Sequence, residues 1–202
     1  MKHSGKGMKL GITGGIGSGK TSVCRVFTIL GIPVFSADPE ARRIMNDHPD
    51  IIRGINSIAG KDLYPDGSLN SAELAALIFN DPAKLQQVNS LVHPVVFQYF
   101  IEWARIQTAP YVIMEAAILF ESGASELVDR IATVVAPVEE RIRRVTLRNK
   151  LTEEQVRERI KNQMDDPTRI SMSDYVINNA ENEMIIPVIL NIHEDILTHL
   201  KA

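Results

Sequence analysis

Gly14-Gly15-Ile16-Gly17-Ser18-Gly19-Lys20-Thr21 decides how this chain reads. The stretch fits G-x-x-x-x-G-K-[ST], the loop that cradles phosphates. Its flanks agree: residues 8–13 (MKLGIT) read as a short apolar strand, and residues 21–30 (TSVCRVFTIL) as a helix. Glycines let the backbone fold into a nest of N–H donors, and no Cβ bars the approach of phosphate oxygens. The helix that follows adds its positive N-terminal end. Lys20 is expected at the β- and γ-phosphates, and the Thr21 hydroxyl on Mg²⁺. A glycine-rich turn without a ligand would need none of this agreement, so a nucleoside triphosphate is the expected ligand.

Outward from the loop the chain alternates. Residues 32–37 (IPVFSA) form a second strand candidate, entered after Gly31, a suitable helix C-cap. Strand, helix and strand within about thirty residues make a βαβ unit with parallel pairing. Asp38-Pro39 then opens a helix that runs through roughly Met45. Residues 49–108 break the alternation. Residues 49–59 are a weak helix, and Pro65-Asp66-Gly67 is a turn. Asn70 with Glu73 caps the next helix, and Asp81-Pro82 opens another. From Pro94 the residues Val96, Phe97, Phe100, Trp103 and Ala104 keep helical spacing, so His93-Pro94 is read as a helix start with a structural role. Alternation resumes with strand candidates at 111–116 (YVIMEA), 130–136 (RIATVVA) and 174–178 (DYVIN). Residues 137–150 read as a helix or flap. Thr152 and Gln155 make a capping box, with Leu151 and Val156 as its hydrophobic staple. A final helix carries Ile185, Ile189, Ile192, Ile196 and Leu200 on one face, with Pro187 tolerable only in its first turn. The expected fold is α/β: a P-loop nucleotide-binding core with a parallel sheet of about five strands flanked by helices, a helical insertion and a basic lid. The core is expected at 8–48 and 109–202, with the lid at about 138–165 and the insertion at 49–108.

The 202 residues are enough for one domain, or one core with an insertion. A net charge of −3, from 22 Lys and Arg against 25 Asp and Glu, gives no footprint for nucleic acid or an acidic membrane. Cys24 is the only cysteine, so internal disulfides and multi-cysteine metal sites are excluded. No apolar run reaches the ~18 residues of a membrane span, and no signal-peptide pattern opens the chain. The polar leader 1–7 (MKHSGKG) is expected to fray, and the expected setting is the cytoplasm.

Further candidates come from placement. Asp38 follows the second strand at the sheet end where open α/β sheets gather ligands, so it could orient or deprotonate an acceptor hydroxyl. Capping the next helix would explain it equally well. Arg42 and Arg43 fit an anionic substrate or a solvated face. Glu115 ends the third strand, where a carboxylate could hold Mg²⁺ directly or through water; pairing with a cation is the alternative. Glu121 reads as a loop-surface acid. Residues 141–161 hold eight cations, Arg141, Arg143, Arg144, Arg148, Lys150, Arg157, Arg159 and Lys161, partly balanced by Glu153, Glu154 and Glu158. Beside a phosphate loop they read as a lid, with Arg144 and Arg148 on one helical face.

Together these residues resemble the dephospho-coenzyme A kinases over nearly the whole chain. The resemblance rests on GITGGIGSGKT at 11–21, Ser36 to Arg42 against D-A-D-x-x-A-R, Asp66 to Leu69 against D-G-x-L, and Asn89 to Pro94 against N-x-x-x-H-P. It continues with Ile118 to Glu121, Arg144 with Arg148, Arg159 to Gln163 (R-I-x-x-Q), and Ser173 to Asn179. It implies ATP-dependent phosphorylation of the ribose 3′-hydroxyl of dephospho-CoA, the last step in making coenzyme A. By the same resemblance Asp38 is the base or hydroxyl-positioning group, and Lys20 and Arg144 stabilise the transferred group. Nucleotide contacts are expected from Gly14 through Thr21 and from Ser22, Arg148 and Asn179, and Mg²⁺ contacts from Thr21 and Glu115. The Asn178-Asn179 loop falls near adenine, and the insertion holds the acceptor. The implied partners are ATP and dephospho-CoA, with no nucleic acid or membrane, for a monomer or small homo-oligomer. The chain departs from the family pattern at Ser36 (for Asp), Ser71 (for Arg), Glu115 (for Asp), Ala117 (for Pro), Arg141 (for Gln) and Asn149 (for Asp), and Ser71 and Arg141 bear on acceptor contacts. A nucleoside monophosphate kinase shares this architecture. A regulatory GTPase would need N-K-x-D and D-x-x-G, and Asn149-Lys150-Leu151-Thr152 lacks the Asp.

Overall fold

Apolar, β-branched segments separated by amphipathic ones can bury their strands only between two layers of helices, and the chain does so. The computed structural model describes residues 7–79, 81–149 and 151–200; the leader residues 1–6 and Lys150 lie outside the described residues. In chain order, Met8–Thr13 is β1, Lys20–Ile29 α1, Val34–Ser36 β2, Ala37–Asp47 α2 and Pro49–Ala59 α3. Ser71–Phe79 is α4, Pro82–Arg105 α5, Tyr111–Glu115 β3 and Arg130–Val135 β4. Val138–Asn149 is α6, Glu153–Lys161 α7, Asp166–Ser171 α8, Tyr175–Asn178 β5 and Ile185–His199 α9. The strands form one parallel sheet in the order β2-β3-β1-β4-β5.

Two compact units divide the chain: residues 1–36 with 103–202, and residues 37–102. In the first, Leu10 and Ile12 of β1, Tyr111 and Ile113 of β3, and Ala132 and Val134 of β4 are buried together with Val23 and Phe27 of α1 and Ile189, Ile192 and Ile196 of α9. Of the apolar stripe read along the last helix, Ile185, Ile189, Ile192 and Ile196 pack on the sheet, whereas Leu200 lies just past α9 and is exposed. Tyr111 Oη lies 2.7 Å from His193 Nδ1, and Tyr175 Oη donates to Asp195 at 2.5 Å. Burial pushes both phenols up, Tyr175 to about 12.

The second unit is helical. Gly54 of α3 lies so close to α5 that an added Cβ would fall 2.4 Å from Leu91 Cδ2. Asn70 accepts from Glu73 N and donates to Glu73 Oε2, the expected cap. Arg43 pairs with Glu40 at 2.5 Å and lies 5.1 Å from the centre of the Tyr99 ring, while Arg42 is exposed.

One expectation fails here, and one helix was not expected at all. Pro94 does not open a helix; it lies inside the single helix α5. Its ring removes one N–H, but Val88, Val92, Val96 and Phe100, at four-residue intervals on either side, are all buried and hold the helix through the break. The short helix α8 was not foreseen, although Asp165-Asp166-Pro167 carries its signal: Asp165 caps it by accepting from Thr168 N at 2.7 Å, with Pro in the first turn. Thr152 and Gln155 form the capping box as expected.

Candidate active site

The phosphate loop spans residues 14–19 between β1 and α1, at the carboxyl edge of the central strand, where parallel sheets gather ligands. Gly17 (φ 78°) and Gly19 (φ 97°) stand in the left-handed region, which side chains disfavour. The loop is closed by its own chain: Ser18 N donates to Gly15 O at 3.1 Å, and Lys20 Nζ to Gly14 O at 2.8 Å. Ser18 is 1% exposed, and its Oγ finds no partner among the described residues. Thr21 and Ser22 follow in the first turn of α1, exposed.

Later elements brace this loop from behind, which no reading of the motif revealed. Arg141 of α6, 3% exposed, donates from Nε to Ile16 O at 2.9 Å and from Nη1 to Asp166 Oδ2 at 3.0 Å. Asp166 also accepts from Arg169 Nη1 at 2.7 Å, and Arg169 is 1% exposed. Burial lowers the Arg141 pKa, opposed by Asp166 and reinforced by Arg169. Gln163 Oε1 accepts from Ile16 N at 2.8 Å, and Asn179 Nδ2 donates to Ser18 O at 2.7 Å. The Ile16 side chain packs against Ile142, Val145 and Val156 of α6 and α7, in the cluster that also takes in Leu151. Arg141 therefore sits beneath the phosphate loop, a place its departure from the family pattern did not indicate.

The basic segment is mostly neutralised. Arg157 pairs with Glu139 and Glu153, Lys161 with Glu158, and Arg143 with Glu181. Arg144 differs. Its Nη2 donates to Glu140 Oε2 and to Asn179 O, both at 2.9 Å, while its Nη1, out of contact with solvent, finds no acceptor among the described residues. A buried guanidinium nitrogen of this kind is poised for an incoming oxyanion. Arg148, one turn on, is exposed.

Glu115 closes β3, in register with Ser36 of β2, and accepts from Ser36 Oγ at 3.0 Å. Buried Cys24 reports on the charges nearby. Desolvation drives its thiol pKa far up, with Glu115 adding to the shift and Lys20 opposing it. One carboxylate and one hydroxyl suit Mg²⁺, which takes few protein ligands and completes its shell with phosphate and water. Two residues beyond Ser36 along the chain stands Asp38, in the first turn of α2 in the second unit. The helix begins at Ala37, so Asp38 is inside it, and its exposed carboxylate accepts no hydrogen bond among the described residues. Glu121 accepts from Met164 N at 3.2 Å.

A five-stranded parallel sheet with this loop at its central strand defines a P-loop kinase. The family profile described as dephospho-CoA kinase matches residues 8–184. The chain belongs to the dephospho-CoA kinase (CoaE) family. Dephospho-CoA kinase of Bacteroides fragilis is 36% identical over 92% of this chain and 91% of its own, and that of Salinibacter ruber 40% over 84% and 87%. Among solved structures, TT1252 from Thermus thermophilus superposes with a TM-score of 0.83 at 30% identity, covering 98% of this chain and 99% of that one. Shikimate kinase from Acinetobacter baumannii, at a TM-score of 0.53 and 18% identity over 96% of this chain and 94% of its own, shares the fold.

Proposed function

We propose that this chain transfers the γ-phosphoryl group of ATP to the ribose 3′-hydroxyl of dephospho-CoA, giving coenzyme A and ADP. The observation that carries the reading is a braced phosphate loop in a chain matched over residues 8–184 by a family of that name. The nucleotide lies along residues 14–22, with Arg148 and Asn179 beside it. Lys20 exchanges the Gly14 carbonyl for β- and γ-phosphate oxygens. Thr21, with Glu115 directly or through water, holds Mg²⁺, which neutralises phosphate charge when bound. Asp38 accepts the proton of the 3′-hydroxyl as that oxygen bonds to the γ-phosphorus and the bond to the β,γ-bridging oxygen breaks. Arg144 Nη1 supplies the hydrogen bond that strengthens as charge spreads over the transferred group. The helical insertion, residues 49–108, holds the acceptor, and the setting is the cytoplasm, for a monomer or small homo-oligomer.

The acceptor is tested by offering purified protein Mg-ATP with dephospho-CoA, AMP, CMP, adenosine or pantetheine phosphate and following ADP release. Dephospho-CoA should be the one strong acceptor, with the new phosphate on its ribose 3′-oxygen. Adenosine, lacking the pantetheine arm, should lose kcat as well as affinity, since remote binding energy positions the hydroxyl. Equal turnover of AMP or CMP would make the chain a nucleoside monophosphate kinase instead.

A further inference from the structure

Three side chains from later in the chain hold the backbone of the phosphate loop, and one of them, Arg141, brings a buried charge. A trans peptide points its C=O and the next N–H in opposite directions. Arg141 Nε draws the Ile16 carbonyl toward α6, which turns the Gly17 N–H the other way, into the concavity of the loop. Asn179 Nδ2 holds the Ser18 carbonyl and turns the Gly19 N–H likewise. Gln163 takes up the Ile16 N–H, which points outward and would otherwise lack a partner. In the cluster of Arg141, Asp166 and Arg169 the two cations lie almost wholly out of water, while the one anion between them, Asp166, is 24% exposed. An excess buried cation is costly alone and favourable beside a polyphosphate.

We propose that Arg141 is the positioning residue of the phosphate loop, orienting the Gly17 N–H through the Ile16 carbonyl and adding its buried charge to the attraction for the nucleotide phosphates. The packing is tight enough to require this arrangement: a Cβ on Gly15 would fall 2.1 Å from Arg141 Nη2, and one on Gly17 2.6 Å from the Arg141 carbonyl. The proposal rests on the reading of the loop as the ATP site.

The side-chain geometry separates the two contributions. Gln Nε2 lies as many bonds from Cα as Arg Nε, so Arg141→Gln keeps a donor for Ile16 O and loses the charge. Arg141→Lys keeps the charge without a donor at that place, and Arg141→Met loses both. Each is titrated with ADP, the Gly17 amide is followed by NMR, and steady-state constants are measured. Arg141→Met should raise the ADP Kd and the ATP KM together by about tenfold, the loss of one charge-assisted hydrogen bond. Its kcat should stay within about threefold and its KM for dephospho-CoA should not change, since the loop grips ground and transition states alike. Arg141→Gln should return the Gly17 resonance to its wild-type position and recover most of the affinity. Arg141→Lys should share the displaced Gly17 resonance of Arg141→Met. A folded Arg141→Met with wild-type ADP affinity would overturn the proposal, and so would an Arg141→Gln no closer to wild type than the Lys variant; that second comparison stands even if the Met variant does not fold. Failure of the wild-type protein to bind ADP would refute the kinase reading instead.

Discussion

Gly15→Ala tests whether the loop is held as described. Gly15 lies outside the left-handed region, so its backbone accepts alanine, and restricting the unfolded chain would by itself stabilise by about 0.4–1 kcal/mol. The new methyl would lie 2.1 Å from Arg141 Nη2 and 2.7 Å from Cζ. An exposed arginine would swing aside at little cost. This one is 3% exposed and tied to Ile16 O and Asp166, and reaching ordinary contact means a retreat of about 1 Å or more, enough to break both bonds. Charge-assisted hydrogen bonds are worth about 1.5–3 kcal/mol each. Allowing for partial relaxation and the gain from the alanine, the net loss is about 2–4 kcal/mol. In a chain of this length that lowers Tm by about 4–16 °C. Thermal unfolding monitored by circular dichroism measures it, with the ATP KM expected to rise at the same time. The double variant Gly15→Ala with Arg141→Gln removes Nη2 and should recover most of the loss, a coupling that independent sites do not show. A single variant with wild-type Tm and ATP KM would refute the brace.

Three expectations follow from the proposed chemistry. Lys20→Ala should remove most turnover while the far-ultraviolet spectrum and cooperative unfolding persist, and near wild-type turnover in the folded variant would exclude the loop as the catalytic phosphate site. Asp38→Asn should lower kcat about 100-fold or more, while stability changes by no more than the ~0.3–1 kcal/mol a first-turn carboxylate draws from the helix dipole; lost stability with kcat retained would make Asp38 structural. Arg144→Ala should lower kcat more than it weakens ATP binding, as separate titration and turnover measurements would show, and a raised KM at unchanged kcat would mean ground-state binding alone.

The fold was legible because its signals are local. The run RIATVV in β4 can be satisfied only inside a parallel sheet, and the capping box at Thr152 sits where sequence spacing puts it. Pro94 misled because proline is judged from its own missing N–H, whereas α5 is held by buried residues two and six positions away on either side. The phosphate loop was legible in place and backbone, because its glycines carry the conformations the motif requires and Lys20 and Thr21 open α1. The brace was not readable. Arg141, Gln163 and Asn179 meet the loop across 125, 147 and 161 residues, and nothing in a basic helical segment tells a buried arginine from a solvated one.

The strand order has a consequence for synthesis. β1 lies at the middle of the sheet, yet its neighbours are Tyr111–Glu115 and Arg130–Val135, made roughly a hundred residues later. At about 5–20 residues per second, the ribosome leaves MKLGIT unpaired on both edges for about 5–20 seconds. Meanwhile residues 37–102, whose helices draw on nearby sequence, emerge complete and can collapse first. The catalytic loop, flanked by a strand that waits and braced by side chains translated last, can take its working shape only when the chain is almost finished. Chains truncated near residue 105 and released from the ribosome should therefore show protected helical amides between 37 and 102 and an open, chaperone-accessible β1, and protection of β1 in them would contradict this order of events.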